Sequence, residues 1–510
     1  MRRTLAAVAA LAAALALLTG CVAPPPIEPA PVPPGELPEP APPLGLDELA
    51  AWSGVAQLNA GSLCSATLID TAVPSGPAYL LTNGHCVGDV GRPAQQTTLG
   101  MPWGGTAEFL RADGGLDGTL VVDVVELAYS TMRLTDTAVV RLDRTLGELE
   151  AFGLRPVPIA DAEPRSGDVV VNVGIPVQDL ASDDWVLRRG QCGLERQHTL
   201  IEFHWLWQHV WANDCPGIIQ GSSGSGLFRV GDDGAPAAVV AMINTTTGGS
   251  TVANGGLCFL NRPCEVAQDG TVTMLEDRSY AQSVAGVGRC FDPVTGVFAL
   301  ADACPLPDSN VWSESSGGIF RGGGLPSSTG TTPSASLVGR VAGTVRTALT
   351  ELGDGTACFD PETYQGAAPI QVPAGGDSWE LVGTRVDVDL PEVEGHYTLC
   401  AVLGDDYRSA AAVLFEVDRT PPILPAGATV YDIGDAKSIR PHLDPPEIST
   451  VRFAWGPPDS DVCDDPSSFQ DFFIVPLTLH DEDLPAVYCV YGLDAAGNAT
   501  PVKRIDVPVR

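Results

Sequence analysis

The sequence predicts an all-β chain, and three observations carry that prediction. The 510 residues include 56 glycines and 44 prolines. Their apolar, β-branched runs, such as 120–127, 138–142 and 169–173, are short and end at Gly, Asp or Pro. No long stretch repeats apolar residues at helical spacing. Runs of strand length between frequent turn residues favour antiparallel sheets. A chain this long exceeds one core, so about three or four domains are expected. With 28 Lys+Arg against 63 Asp+Glu, the net charge is −35. That argues against binding nucleic acid or anionic lipid through the protein surface.

Residues 1–20 read as a secretory signal. Arg2 and Arg3 give the positive start, and 5–18 is an uncharged run of Ala, Leu and Val. The run ends Leu18-Thr19-Gly20-Cys21, which resembles a bacterial lipobox. The resemblance implies cleavage before Cys21 and acylation of its thiol and new amine. Each buried methylene contributes about 0.8 kcal/mol, so several chains hold the protein on a bilayer. Val22, where an aspartate is absent, fits outer-membrane sorting in a Gram-negative cell. An ordinary cleaved signal with a cysteine after it is the other reading. Residues 21–45 are rich in proline and cannot pack a core, so they read as an extended tether. The expected location is the cell envelope, after export, on a lipid anchor.

Residues 46–306 hold the candidate chemistry. Gly221-Ser222-Ser223-Gly224-Ser225-Gly226 lies between Ile218-Ile219 and Leu227-Phe228. Apolar flanks make it a tight turn inside a folded core rather than a linker. Small residues let backbone N–H groups face outward beside a serine, as acyl transfer requires. Upstream, Tyr79-Leu80-Leu81-Thr82-Asn83-Gly84-His85-Cys86 runs an apolar strand into a histidine. Thr135-Asp136-Thr137-Ala138-Val139-Val140 sets an acid at the head of another strand. The chain order His, Asp, Ser, each in such a context, is a triad pattern. These motifs, with Cys64-Ser65-Ala66-Thr67-Leu68-Ile69 before the histidine, resemble the trypsin/chymotrypsin-like serine peptidases. Spacings of 51 residues from His85 to Asp136 and 87 from Asp136 to Ser223 suit a two-barrel peptidase.

The resemblance implies roles. His85, Asp136 and Ser223 would be the catalytic triad, and the N–H groups of Gly221 and Ser223 the oxyanion hole. The strand at 237–244 and the Thr245–Thr247 run would line the specificity pocket with Gly217, Asn244 and Thr245. Trypsin-type enzymes carry an aspartate near position 217. Glycine there, with Asn244 and the threonines, predicts a polar, uncharged pocket. The amine-pairing aspartate before the nucleophile is replaced by Ser222, so the chain looks closer to bacterial members such as glutamyl and lysyl endopeptidases. No cofactor or metal is called for. The expected function is a serine endopeptidase acting on protein or peptide. Two other classes share these residues: an inactive surface adhesin or binding lipoprotein, and an esterase.

Twelve cysteines remain beside Cys21: Cys64, Cys86, Cys192, Cys215, Cys258, Cys264, Cys290, Cys304, Cys358, Cys400, Cys463 and Cys489. An even number without Cys-x-x-Cys favours disulfides. Sequential pairing would place each bridge inside one domain, and the resemblance itself implies Cys64–Cys86. Residues 202–211 carry His204 and His209 among Trp205, Trp207 and Trp211. A metal or aromatic site fits, and so does a barrel-packing strand, which the period-two tryptophans favour. Asn244-Thr245-Thr246 also fits a glycosylation sequon.

Residues 307–336 are Ser/Gly-rich and read as a linker. Beyond them, Cys358-Phe359-Asp360-Pro361 echoes Cys463-Asp464-Asp465-Pro466, and Leu399-Cys400-Ala401-Val402 echoes Tyr488-Cys489-Val490-Tyr491. The repeat predicts two modules, 337–420 and 421–510, which resemble immunoglobulin-like β-sandwiches. The shared Asp-Pro reads as turn chemistry, with a calcium ligand as the alternative. Cell-surface or polymer contacts are the partners expected of these modules.

Overall fold

Alternation of the two faces of each strand explains the first sheet. The strands are β1 (Val55–Asn59), β2 (Leu63–Leu68), β3 (Pro77–Thr82), β4 (Thr97–Phe109), β5 (Leu120–Thr131) and β6 (Thr137–Thr145). They form a closed antiparallel barrel in the order β1-β2-β3-β6-β5-β4. Ala78 and Leu80 of β3 join Ala66, Leu68, Val122, Val140 and Leu142 inside it. Tyr79 and Leu81 point the other way, into a second cluster with Trp52, Tyr129, Val171, Val173 and Phe228. A strand packed on both faces needs an unbroken apolar run, and Ala78–Leu81 supplies one. Helix α1 (Leu146–Ala151) covers one end with Leu146 and Leu149. Its start is a capping box, in which Thr145 Oγ1 accepts from the Glu148 N–H and the Glu148 carboxylate accepts from the Thr145 N–H.

The computed structural model describes residues 37–510 except 89–94, 113–117, 250–257, 259–260, 268–269, 314–319, 324–333, 354–355, 376–382, 390, 423–425, 435, 442–447, 449, 473–475, 495 and 510. The predicted signal, Cys21 and most of the tether lie outside the described residues.

The second barrel comprises β7 (Val169–Gly174), β8 (Arg188–Glu202), β9 (Trp205–Asn213), β10 (Gly226–Val230), β11 (Pro236–Thr246), β12 (Cys264–Val266), β13 (Val272–Thr273) and β14 (Ser279–Ser283). Its order is β13-β12-β8-β7-β10-β11-β14-β9, and β8 also pairs with β9. Residues 188–193 of β8 serve β7, and 194–202 turn to serve β9. One long strand thus closes the ring, with β12 and β13 as an outer flap. Trp52 meets Phe228 edge-to-face at 5.2 Å between the barrels. The all-β, two-barrel expectation holds.

All twelve described cysteines pair with their neighbours in sequence: 64–86, 192–215, 258–264, 290–304, 358–400 and 463–489.

Beyond the barrels the described residues build four more sheets. The first pair comprises three strands, Val311–Ser313, Ser334–Gly339 and Thr384–Asp387, facing five, among them Gly343–Glu351, Gly395–Leu403 and Ala411–Asp418. Val311, Leu337, Val345, Leu399, Val413 and Phe415 fill the space between. Residues 307–336, expected to be a linker, contribute the strands Val311–Ser313 and Phe320–Gly323 to these sheets. The second pair has its own core of Ile439, Val451, Phe453, Leu479, Tyr488 and Val490. The repeated Asp-Pro is turn chemistry in both copies. Asp360 Oδ1 accepts from the Glu362 N–H at 2.9 Å, and Asp465 Oδ1 from the Ser467 N–H at 2.9 Å.

Candidate active site

His85 opens a single 3₁₀ turn, His85–Val87, where β3 ends. The neighbouring Cys86 is bonded to Cys64 of β2, which fixes the turn against the barrel wall. Before it, Gly84 lies so close to the next loop that an added Cβ would fall 2.3 Å from the Thr131 carbonyl oxygen. That close approach brings Asp136 to the histidine. The Asp136 carboxyl is fully buried and accepts twice from His85, at Oδ1 from the backbone N–H (3.0 Å) and at Oδ2 from Nδ1 (2.6 Å). Its own carbonyl accepts from Asn83 Nδ2 at 2.9 Å. An acceptor at Nδ1 selects the tautomer that carries its proton there and makes Nε2 the basic nitrogen.

The serine turn comes from the second barrel. Ser65 of the first barrel spans it, with its N–H donating to Ser223 O (2.8 Å) and its hydroxyl to Gly221 O (2.9 Å). Gly224 has φ +78°, and a Cβ there would collide with Ser65 O at 2.2 Å. The N–H groups of Ser222, Gly224 and Ser225 donate to Ile219, Ile243 and Ser222 carbonyls. Among the described residues, those of Gly221 and Ser223 donate to no carbonyl. The three serines differ as well. Ser222 and Ser225 are buried, with hydroxyls that accept from the Ile219 N–H and from Asn172 Nδ2. Ser223 is half-buried and shares a cavity of about 270 Å³ with His85.

Asn244 and Thr245 line this cavity, as expected, but Gly217 does not. The segment before the serine turns away there, and Gly217 packs against the backbone of Glu39–Ala41. The cavity is also not the uncharged one predicted. Glu202, at the end of β8, forms part of its wall and is 4% exposed. Its Oε1 accepts from the Asn261 N–H at 2.7 Å. The Thr245 hydroxyl acts on the same carboxyl, yet Oε2 has no partner in hydrogen-bond geometry among the described residues. Burial pushes this carboxyl up to about 7, with the Thr245 and Asn261 hydrogen bonds opposing the rise. Nearby, the indole nitrogens of Trp205 and Trp207 and both ends of the Asn244 amide are buried without partners among the described residues. The two tryptophan rings stack at 5.8 Å, as period-two neighbours on β9.

Sequence reasoning missed Glu202. The available signal was an acid directly after Leu200-Ile201 at the end of a strand, beside paired tryptophans and a two-residue turn. His204, in that turn, is buried with neither ring nitrogen partnered among the described residues, and burial lowers it to about 4. His209 is exposed. Among the described residues, the grouping at metal-ligand spacing is Cys64, His85 and Cys86, and its two sulfurs are bonded to each other.

The loop that carries Asp136 is held from the far side by the tail. Arg133 is fully buried. Its guanidinium donates to the carbonyls of Asp308 (2.7 Å), Arg408 (3.3 Å) and Ala410, and lies 5.7 Å from the Phe359 ring centre. Burial lowers it to about 10. Leu134 and Ile201 share a cluster with Leu352 and Leu414 of the first tail module. Gln208 of β9 donates to Leu134 O at 2.7 Å. The loop is thus braced by the first barrel, the second barrel and the tail.

Residues 64–241, about a third of the chain, match the family model described as the trypsin-like peptidase domain. Among solved structures, a thermostable serine protease from an extremophilic microorganism is similar at 16% identity, with a TM-score of 0.30, over 47% of this chain and 94% of that one. A Glu endopeptidase in complex with MPD is similar at 16% identity, with a TM-score of 0.31, over 50% and 94%. No curated protein matches the chain.

Proposed function

We propose that this chain is an exported serine endopeptidase, anchored to a membrane through acylated Cys21, that hydrolyses peptide bonds through an acyl-enzyme. The observation that carries the chemistry is the 2.6 Å contact of His85 Nδ1 with the buried Asp136 carboxylate, in a cavity shared with Ser223. Ser223 Oγ attacks the scissile carbonyl and His85 Nε2 takes its proton. The tetrahedral oxyanion sits against the N–H groups of Gly221 and Ser223, each contributing about 3 kcal/mol. His85 then protonates the leaving amine, and the C–N bond breaks. Water, deprotonated by His85, attacks the ester and releases the acid with Ser223 restored. Asp136 orients the ring and stabilises its cation throughout. The match over 64–241 supports this reading.

The test is a fluorophosphonate probe on the full chain, followed by peptide mapping, alongside hydrolysis of a protein substrate. Labelling at Ser223 with protein cleavage is expected. No label and no cleavage would leave an adhesin, while ester hydrolysis without peptide hydrolysis would leave an esterase. Mass analysis of the N-terminal peptide from a membrane fraction checks the anchor: diacylated and N-acylated Cys21 is expected, and an unmodified mature terminus refutes it.

A further inference from the structure

Glu202 is a costly residue to keep where it is. A carboxyl withdrawn from water needs a counter-charge or a full set of donors, and among the described residues one oxygen has no hydrogen-bond partner. The first barrel does not use it, since both Asp136 oxygens are already committed to His85. The titratable groups whose charges act on it are His85 and Asp136. Glu202 lines the cavity that Ser223 also lines, together with Thr245 and the stacked Trp205 and Trp207. The cavity, at about 270 Å³, is smaller than most small-molecule sites, which span roughly 300–1,000 Å³, and suits one long side chain. Aromatic walls with a carboxylate fit a cation that carries an aliphatic stem. The net charge of −35 draws such groups toward the protein.

We propose that Glu202 is a specificity residue, and that its cavity takes a lysine or arginine side chain of the substrate close to the scissile bond. The ammonium or guanidinium pairs with Oε2, and the stem lies along the tryptophans. This rests on the serine-peptidase reading and extends it to a substrate class. The site is not the glycine at 217, where a family-type acid is absent. The acid enters from the end of β8 instead.

The experiment is a peptide library cleaved by the full-length protein at pH 8. Lysine and arginine should exceed glutamine and methionine by about 30-fold or more at one position within about four residues of the cut. Glu202→Gln should bring that preference close to one. A flat profile, a preference for acids, or a cation preference that survives in the variant overturns the proposal. If the variant does not fold, the wild type still decides. The kcat/KM ratio for a lysine and a glutamine version of one peptide cancels the shared ionisation of His85. Because burial holds the Glu202 carboxyl near 7, that ratio should fall as pH drops through about 7. A ratio independent of pH overturns the proposal. Cleavage with no cation preference defeats this inference alone, whereas no cleavage and no label at Ser223 defeats the peptidase reading with it.

Discussion

On the first-barrel side of the cavity, the buried carboxylate has its partners, although Asn83 Oδ1 has none among the described residues. Both Asp136 oxygens accept from His85, and Asn83 holds the carbonyl behind them. On the second-barrel side, Glu202 Oε2, the Asn244 amide and two indole N–H groups are buried and unmatched among the described residues. On the proposed function, the difference follows from what each side has to do. A group that moves protons must be in place before substrate arrives, so its hydrogen bonds are made within the protein. A group that recognises substrate must leave its best partner for the substrate, and the free protein bears the desolvation cost.

Four changes test that contrast. The largest effect is expected from Ser223→Ala, which should lower kcat by about 10⁶ while leaving the circular dichroism unchanged. Retained activity would mean that the matched side is not where the chemistry occurs. Asp136→Asn should keep the packing but present a donor to Nδ1, reversing the tautomer, with a loss in kcat of about 10⁴. A loss below tenfold would remove Asp136 from its role.

Arg133→Met is expected to strand three carbonyls and loosen the loop behind Asp136. Urea unfolding, in a Ser223→Ala background to prevent self-digestion, should show a loss of about 3 kcal/mol or more. An unchanged midpoint would make the tail an ornament to the loop.

The smallest effect comes from the unmatched side and has the opposite sign. Glu202→Gln should stabilise the free protein by up to about 3 kcal/mol at pH 8, from the rise of its carboxyl to about 7. The native carboxyl binds its proton more tightly than the unfolded one. Stability is therefore undiminished below the unfolded value and is lost as pH rises toward 7. The gain in the variant should vanish near pH 4. Comparing variant with wild type at each pH cancels His204, whose lowered value costs stability on the acid side. A variant less stable than wild type at pH 8 would show that Glu202 is already satisfied.

The matched side was the legible one. His85, Asp136 and Ser223 each need a particular backbone around them, and that need writes local patterns: a strand running into His-Cys, an acid heading a β-branched run, glycines around a serine. The barrels were legible for the same local reason, as short two-faced strands. Glu202 was not, because its place depends on β8 reaching past β7 to pair with β9. Within its own segment it is one polar residue beside a turn. Arg133 was hidden by distance, since its carbonyl partners lie 175 to 277 residues away. Gly217 misled because counting back from Ser223 assumes a path that the chain leaves to meet residues 39–41. At 307–336, Ser/Gly composition suggested slack chain, although backbone pairing needs no large side chains and two strands form there.

Every one of the six bridges joins a cysteine to the next cysteine along the chain, so no covalent loop encloses or crosses another. For a polypeptide delivered N-terminus first, the correct mate of each waiting thiol after Cys21, which the proposed anchor takes, is the next one to emerge. Oxidation in order of appearance then writes the native connectivity, and no bond made early must be broken later. Thiol trapping on chains halted at increasing lengths should find the bridges closing one after another, and crossed pairs would contradict it.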